Sequence, residues 1–188
     1  MIPRGIATGV GRLIPDMWKY VSFTAVIAVL LVLLLNEQGN RRQEAVSSPA
    51  ETVLPAPAWK FNQVDGRPLS SREFVGKVVI LNFWATWCPP CQAEIPGFVE
   101  LQEKYGKEGL VIVGVSLDRA GPATVKGFMQ RLNMNYPVVM GDEKIVRDYG
   151  GIEALPTTFI INRDGHLTKM HVGYADRQTF EDLIRPLL

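Results

Sequence analysis

The segment Val78–Trp84 (VVILNFW) runs almost directly into Trp87-Cys88-Pro89-Pro90-Cys91, and no other stretch restricts the fold of this chain so tightly. A run of apolar and β-branched residues broken only by Asn82 has no wet face, so it predicts a strand buried on both sides. Such a strand requires sheet neighbours and helices packed above and below. Leu110–Leu117 (LVIVGVSL) and Thr158–Ile161 (TFII) are two further runs of this kind. Ile95, Phe98, Val99, Leu101, Gln102 and Tyr105 recur at helical spacing between the first two, and Val125, Phe128, Met129 and Leu132 do so ahead of Tyr136-Pro137-Val138-Val139. Val64-Asp65-Gly66-Arg67 and Asn162-Arg163-Asp164-Gly165 are hairpin signals, the second leading to an antiparallel strand at Leu167–Val172. Arg177–Leu187 reads as a closing helix. The fold predicted is α/β, a central mixed sheet flanked by helices, with an N-terminal β-hairpin.

Cys88 and Cys91 are the only cysteines. A bridge across two residues closes so small a loop that it scarcely constrains the unfolded chain, so chemistry is a better reason for the pair than structure. Cys88 follows a strand and opens a helix. A thiolate there meets the positive end of the helix dipole and unpaired backbone N–H groups, which lowers its pKa and makes it the nucleophile. Pro89 and Pro90 suit a first helical turn, where their missing donors would be orphans anyway. They also remove amides that could stabilise the thiolate, which tempers its acidity. Cys91, three residues on, can reach back to a mixed disulfide at Cys88. The mechanism calls for an exposed first cysteine and a shielded second one.

The N-terminal third has another character. Residues 17–35 are apolar and, after Lys19, uncharged, close to the ~20 residues that span a bilayer. Trp18, Lys19 and Tyr20 suit a headgroup interface. A cleaved signal peptide is the competing reading; its apolar region is usually shorter and followed closely by small residues, whereas Asn36-Glu37-Gln38-Gly39-Asn40 follows here. Arg4, Arg12 and Lys19 on one side, against Arg41 and Arg42 near Glu37 and Glu44, favour a cytoplasmic N-terminus over residues 1–16. Residues 36–58, rich in Pro, Ser and Ala, read as a flexible tether. Residues 59–188 are then an extracytoplasmic domain, large enough at about 130 residues to bury its own core.

Trp84-Ala85-Thr86-Trp87-Cys88-Pro89-Pro90-Cys91, Pro96 and Leu155-Pro156-Thr157-Thr158 together resemble the thioredoxin superfamily. Within it, Asn82-Phe83-Trp84-Ala85, Glu94, the segment from Asp118 to Val139 and LPTTFIINRDG from Leu155 resemble the membrane-anchored TlpA/ResA-like branch. The resemblance covers roughly residues 59–188. It implies a thioredoxin fold, a helix-kinking Pro96, and a cis-proline at Pro156 lying against the disulfide, a geometry open to X–Pro bonds. A plain strand-entry proline is the structural alternative for Pro156. Thioredoxin has a buried aspartate where this chain has Asn82, so another group must accept the proton of the second cysteine. The resemblance implies Glu94, one helical turn from Cys91. Partial burial would raise its pKa and suit it to that task. A solvated surface glutamate is the alternative. Pro89, Leu155 and Trp87 are expected to line the substrate surface, with core packing the alternative for Trp87.

The resemblance further implies a reductant of client disulfides, apocytochrome c among the candidates, re-reduced by a membrane electron carrier of the CcdA or DsbD type. A disulfide oxidant or isomerase, a thiol peroxidase, and a redox-inert binding module are competing functions. No cofactor is expected beyond the cysteine pair, and no metal. A zinc site would need His166 and His171, five apart on a predicted strand and so on opposite faces. With a net charge of +1 and no basic run interleaved with aromatics, nucleic acid is not an expected partner.

Overall fold

The computed structural model describes residues 54–188 together with Leu30 and Leu31, which are helical. The expected cytoplasmic segment 1–16, most of the anchor 17–35 and the tether up to residue 53 lie outside the described residues. Among the described residues, no helix is long and apolar enough to cross a membrane.

Two short strands, β1 (Lys60–Asn62) and β2 (Pro68–Ser70), pair antiparallel with Phe61 opposite Leu69 and form the expected hairpin. Gly66 turns the chain between them at φ +89°, a conformation that costs glycine little. The main sheet contains β3 (Val78–Trp84), β4 (Leu110–Ser116), β5 (Val138–Met140), β6 (Thr157–Ile161) and β7 (Leu167–Val172), in the order β5-β4-β3-β6-β7. β3 pairs parallel with β4, and β4 with β5; β6 runs antiparallel to both β3 and β7. All seven residues of β3, the central strand, are buried. Among residues 54–188, four α-helices accompany the sheet: α1 (Pro89–Tyr105), α2 (Pro122–Arg131), α3 (Glu143–Asp148) and α4 (Arg177–Ile184). The result is a thioredoxin-like α/β fold with a mixed sheet.

Alternation along β3 divides the core into two layers. Val78, Ile80 and Trp84 pack with Ile95, Phe98 and Leu101 of α1, Val125 and Phe128 of α2, and Phe180 and Ile184 of α4. Val79, Leu81 and Phe83 pack with Val113, Val115, Phe159, Ile145 of α3, Tyr149 and Trp59 on the other side. Burying each large apolar side chain contributes about 1.5–3 kcal/mol, so these two layers fix which residues of each strand face which side. Gly114 of β4 sits opposite Asn82 because nothing larger fits: a Cβ there would lie 2.9 Å from the Trp84 indole nitrogen and 3.1 Å from Val138.

Several sequence expectations need correction. The tether does not extend to residue 58. Leu54 O accepts a hydrogen bond from Leu167 N–H (2.8 Å), Ala56 N–H donates to Gly165 O (2.8 Å), and Pro57 O accepts from the Tyr149 hydroxyl (3.1 Å). The edge and turn of β7 offer unpaired backbone groups, and residues 54–56 satisfy them. The closing helix stops at Ile184 and tightens into a 3₁₀ turn over Arg185–Leu187, because Pro186 lacks the N–H that would continue it. His166 precedes β7 in a bridge to Pro55, so the two histidines do not share a strand. α3, capped by Asp142 accepting from Ile145 N–H (2.9 Å), has no counterpart among the elements expected from periodicity.

Candidate active site at the end of β3

The parallel direction of β3 and β4 brings the loop after Trp84 to one end of the sheet, and α1 starts there. Cys88 is the N-cap of α1: its backbone is extended and its sulfur accepts a hydrogen bond from Cys91 N–H at 3.3 Å. Pro89 and Pro90 occupy the first helical positions, as their fixed φ allows. Pro96 lies inside α1, which continues past it to Tyr105. Cys88 and Cys91 form a disulfide, with Cα atoms 5.3 Å apart.

The expectation of an exposed first cysteine is not met. Cys88 is 4% exposed and Cys91 1%, so both are buried in this oxidised form. The cap geometry explains it: the Cys88 side chain folds back over the first turn toward the Cys91 N–H and is bonded to the Cys91 sulfur. Trp87, 67% exposed, stands at the surface beside it rather than in the core, and Pro89 is exposed too. The Leu155–Pro156 peptide is cis. Pro156 is buried immediately before β6, whose Thr157 is registered with Phe83, so it lies at the same end of the sheet as the motif. Leu155 is half-buried against the apolar layer that contains both cysteines.

Glu94 is 3% exposed, not a surface residue of α1. Its Oε1 accepts from Ala175 N–H (2.8 Å), and its Oε2 accepts from the Asn82 side-chain amide at 3.5 Å. The same Asn82 amide donates to the Thr158 hydroxyl at 2.9 Å, across the β3–β6 register. No cation touches Glu94 among the described residues. Burial penalises its charged form more than these two hydrogen bonds favour it, and its pKa is pushed up to about 7. Tyr136, buried against Phe98, has its phenol pKa raised first by desolvation and then by the Glu94 charge, so it stays neutral beside that carboxyl. A carboxyl that exchanges its proton near neutrality, one turn from a cysteine, can accept a thiol proton.

Sequence reasoning passed over Thr158, Ala175 and Tyr136 as contributors to the Glu94 environment, and Asp118 as a neighbour of the motif. Asp118 is buried and accepts a hydrogen bond from Thr86 N–H at 2.9 Å. None of these contacts is local in the chain, so no spacing rule reveals them.

A family model described as the AhpC/TSA family matches residues 54–170. The chain belongs to that family. Within it, the chain is 34% identical over 174 residues to the "Thiol-disulfide oxidoreductase ResA" of Halalkalibacterium halodurans, covering 90% of this chain and 95% of that one. It is 31% identical to the protein of the same name from Bacillus subtilis, over 84% of this chain and 90% of the relative. Among solved structures, a "thiol:disulfide interchange protein, thioredoxin family protein" from Chlorobium tepidum superposes with a TM-score of 0.68 at 34% identity, covering 72% of this chain and 96% of that one. The resemblance to the thioredoxin superfamily and its ResA-like branch is therefore correct.

Proposed function

We propose that this protein is an extracytoplasmic thiol–disulfide oxidoreductase that reduces disulfides in client proteins. The observation that carries the reading is the Cys88–Cys91 disulfide at the N-cap of α1, one turn from a buried carboxyl with a pKa near neutrality. The names of the ResA relatives support the same activity.

In the reduced protein, the Cys88 thiolate attacks one sulfur of the client disulfide. The client's other sulfur leaves as a thiolate and takes up a proton. Glu94 accepts the proton of the Cys91 thiol, and the Cys91 thiolate attacks the Cys88 sulfur of the mixed disulfide. The second client sulfur departs, and the Cys88–Cys91 bond forms. Two electrons pass from the protein's dithiol to the client, so an external dithiol must restore the reduced state. Trp87, Pro89 and Leu155 receive the client, and Pro156 shapes the floor beneath it. No cofactor or metal takes part.

Residues 17–35 anchor the chain in the membrane with residues 1–16 in the cytoplasm, and residues 36–53 tether the domain outside. Apolarity and flanking charge support this reading. A membrane donor of the CcdA or DsbD type then supplies electrons, and apocytochrome c is a fitting client.

Equilibrating the full chain with defined thiol buffers and trapping free thiols tests the direction of transfer. A potential at or below about −230 mV, in the thioredoxin range, is expected of a reductant. A value near about −120 mV, that of a strong oxidant, would reverse the assignment to disulfide formation.

A further inference from the structure

Asp118 follows β4, is 8% exposed, and has only neutral partners among the described residues. Its Oδ2 accepts hydrogen bonds from Thr86 N–H (2.9 Å) and the Ser116 hydroxyl (2.8 Å). Its Oδ1 accepts from the Thr86 hydroxyl (2.5 Å). The Asp118 N–H donates to Ser116 Oγ (3.2 Å), which fixes the carboxylate from behind. Thr86 is also held from the other side, because its carbonyl accepts from the Gln92 side-chain amide in the first turns of α1 (2.8 Å).

Thr86 lies two residues before Cys88, in the loop that joins β3 to α1. With its N–H, hydroxyl and carbonyl all engaged, it cannot turn. Cys88 N–H donates to Ala85 O (3.2 Å), so Ala85–Cys88 forms one braced segment between the end of β4 and α1. Burying a carboxylate is costly unless donors satisfy it, and three do so here. Two of those three donors belong to Thr86. The arrangement therefore concentrates its hydrogen bonds on the loop that carries Trp87 and Cys88.

We propose that Asp118 is a positioning residue for thiol–disulfide exchange, holding Thr86 so that the Cys88 sulfur and the Trp87 ring keep a fixed place at the start of α1. The inference rests on the reading that Cys88 is the attacking thiol. Attack on a disulfide needs the entering sulfur aligned with the bond it breaks, and a displacement on the scale of 1 Å can cost as much as ~10²-fold in rate. Asp118 acts through the place of the sulfur and touches no reacting atom.

The test measures the second-order rate at which the reduced full-length chain reacts with oxidised glutathione, with the thermal midpoint recorded for each variant. Asp118→Ala and Thr86→Val each remove one side of the clamp, and each is expected to slow exchange about tenfold. The double variant should be no slower than Asp118→Ala alone, because both changes break the same contact. Asp118→Asn can keep the geometry, its carbonyl accepting from Thr86 N–H and its amide donating to the Thr86 hydroxyl, and should recover most of the rate. A general loss of stability would not produce that recovery and non-additivity together. Additive losses, or an Asp118→Asn chain as slow as Asp118→Ala, would overturn the positioning role. Should Asp118→Ala fail to fold, Thr86→Val decides alone: it keeps the backbone hydrogen bond, and a wild-type rate overturns the role. If wild type exchanges and Asp118→Ala matches it, the positioning role alone fails. If a Cys88→Ala chain exchanges as fast as wild type, the thiol reading fails and the positioning role falls with it.

Discussion

Two glutamates are buried in this domain to nearly the same degree, Glu94 at 3% exposed and Glu181 at 5%, yet their chemistry is opposite. Among the described residues Glu94 has two neutral donors and no cation, and its pKa is pushed up to about 7, chiefly by burial. Glu181, on α4, accepts from Lys104 at 2.6 Å and also from Tyr105 and Arg177. Its carboxyl is held at a pKa of about 2, with the Lys104 hydrogen bond the largest cause. Arg177 additionally reaches Glu100 of α1 at 3.3 Å, so the cluster ties α4 to α1. Burial alone does not mark a functional carboxyl. What separates the two is depth together with counter-charge: Glu181 lies near the surface against Lys104 and Arg177 and is locked as an anion, while Glu94 lies deeper with no cation among the described residues and gains and loses a proton near neutral pH.

The largest effect that could break this contrast is on rate. Under the proposed mechanism Glu94→Gln removes the proton acceptor for Cys91, and it should slow client reduction at pH 7 about 10²-fold, at the low end of what general-base catalysis contributes. Glu181→Gln, which acts at the end of α1 far from the cysteines, should leave the rate close to that of wild type. Stopped-flow kinetics on both variants settles it: equal losses would mean that the two carboxyls do not differ in function.

Stability should separate them next, and with opposite signs. Glu94 has a folded pKa above the ordinary glutamate value of 4.5, so the native state holds the proton more tightly than the unfolded chain does. Its contribution is neutral below pH 4.5, turns unfavourable as pH rises, and reaches its full cost above about 7. Glu94→Gln should therefore raise stability at pH 8 by at most roughly 3 kcal/mol, with the gain vanishing once pH falls below the ordinary glutamate range. Glu181 has a depressed pKa, so its stabilisation is fully present above pH 4.5 and lost as pH falls through about 2. Glu181→Gln should lower the thermal midpoint at pH 7 and converge on wild type in strong acid. Thermal midpoints across pH test both signs.

Half of this contrast was legible in the sequence. Periodicity located β3, β4 and the helix bearing Glu94 because those runs are long and carry dense apolar signals. The placement of Cys88 and Cys91 at the start of α1 was readable because a strand end, two prolines and a helix start are local. The surroundings of Glu94 were not, since Thr158 meets Asn82 across 76 residues and Ala175 meets Glu94 across 81. The burial of Cys88 escaped for a different reason: helix geometry identifies an N-cap but not how the bonded sulfur folds over the turn. β5 and α3 are too short for periodicity to register, and they depend on tertiary packing, as Val139 and Ile145 in the core show.

The smallest predicted effect sharpens the comparison most, because it isolates the one side-chain hydrogen bond that Glu94 accepts among the described residues. Asn82 donates to Glu94 at 3.5 Å, a long hydrogen bond, and more closely to Thr158 at 2.9 Å. That bond pulls the Glu94 pKa down and ranks below both burial and the Ala175 N–H among the influences on it. Asn82→Ala should leave burial dominant and move the Glu94 pKa upward by less than about one unit. The pH–rate profile for client reduction, which rises as Glu94 ionises, should shift upward with it. Asn82→Asp should shift the profile further, because a second carboxyl against the first makes the two titrate as a coupled pair, with one proton held more tightly. An Asn82→Ala profile that moves to lower pH would mean that water enters and solvates Glu94. In that case dryness, rather than the missing cation, is what sets this carboxyl apart from Glu181.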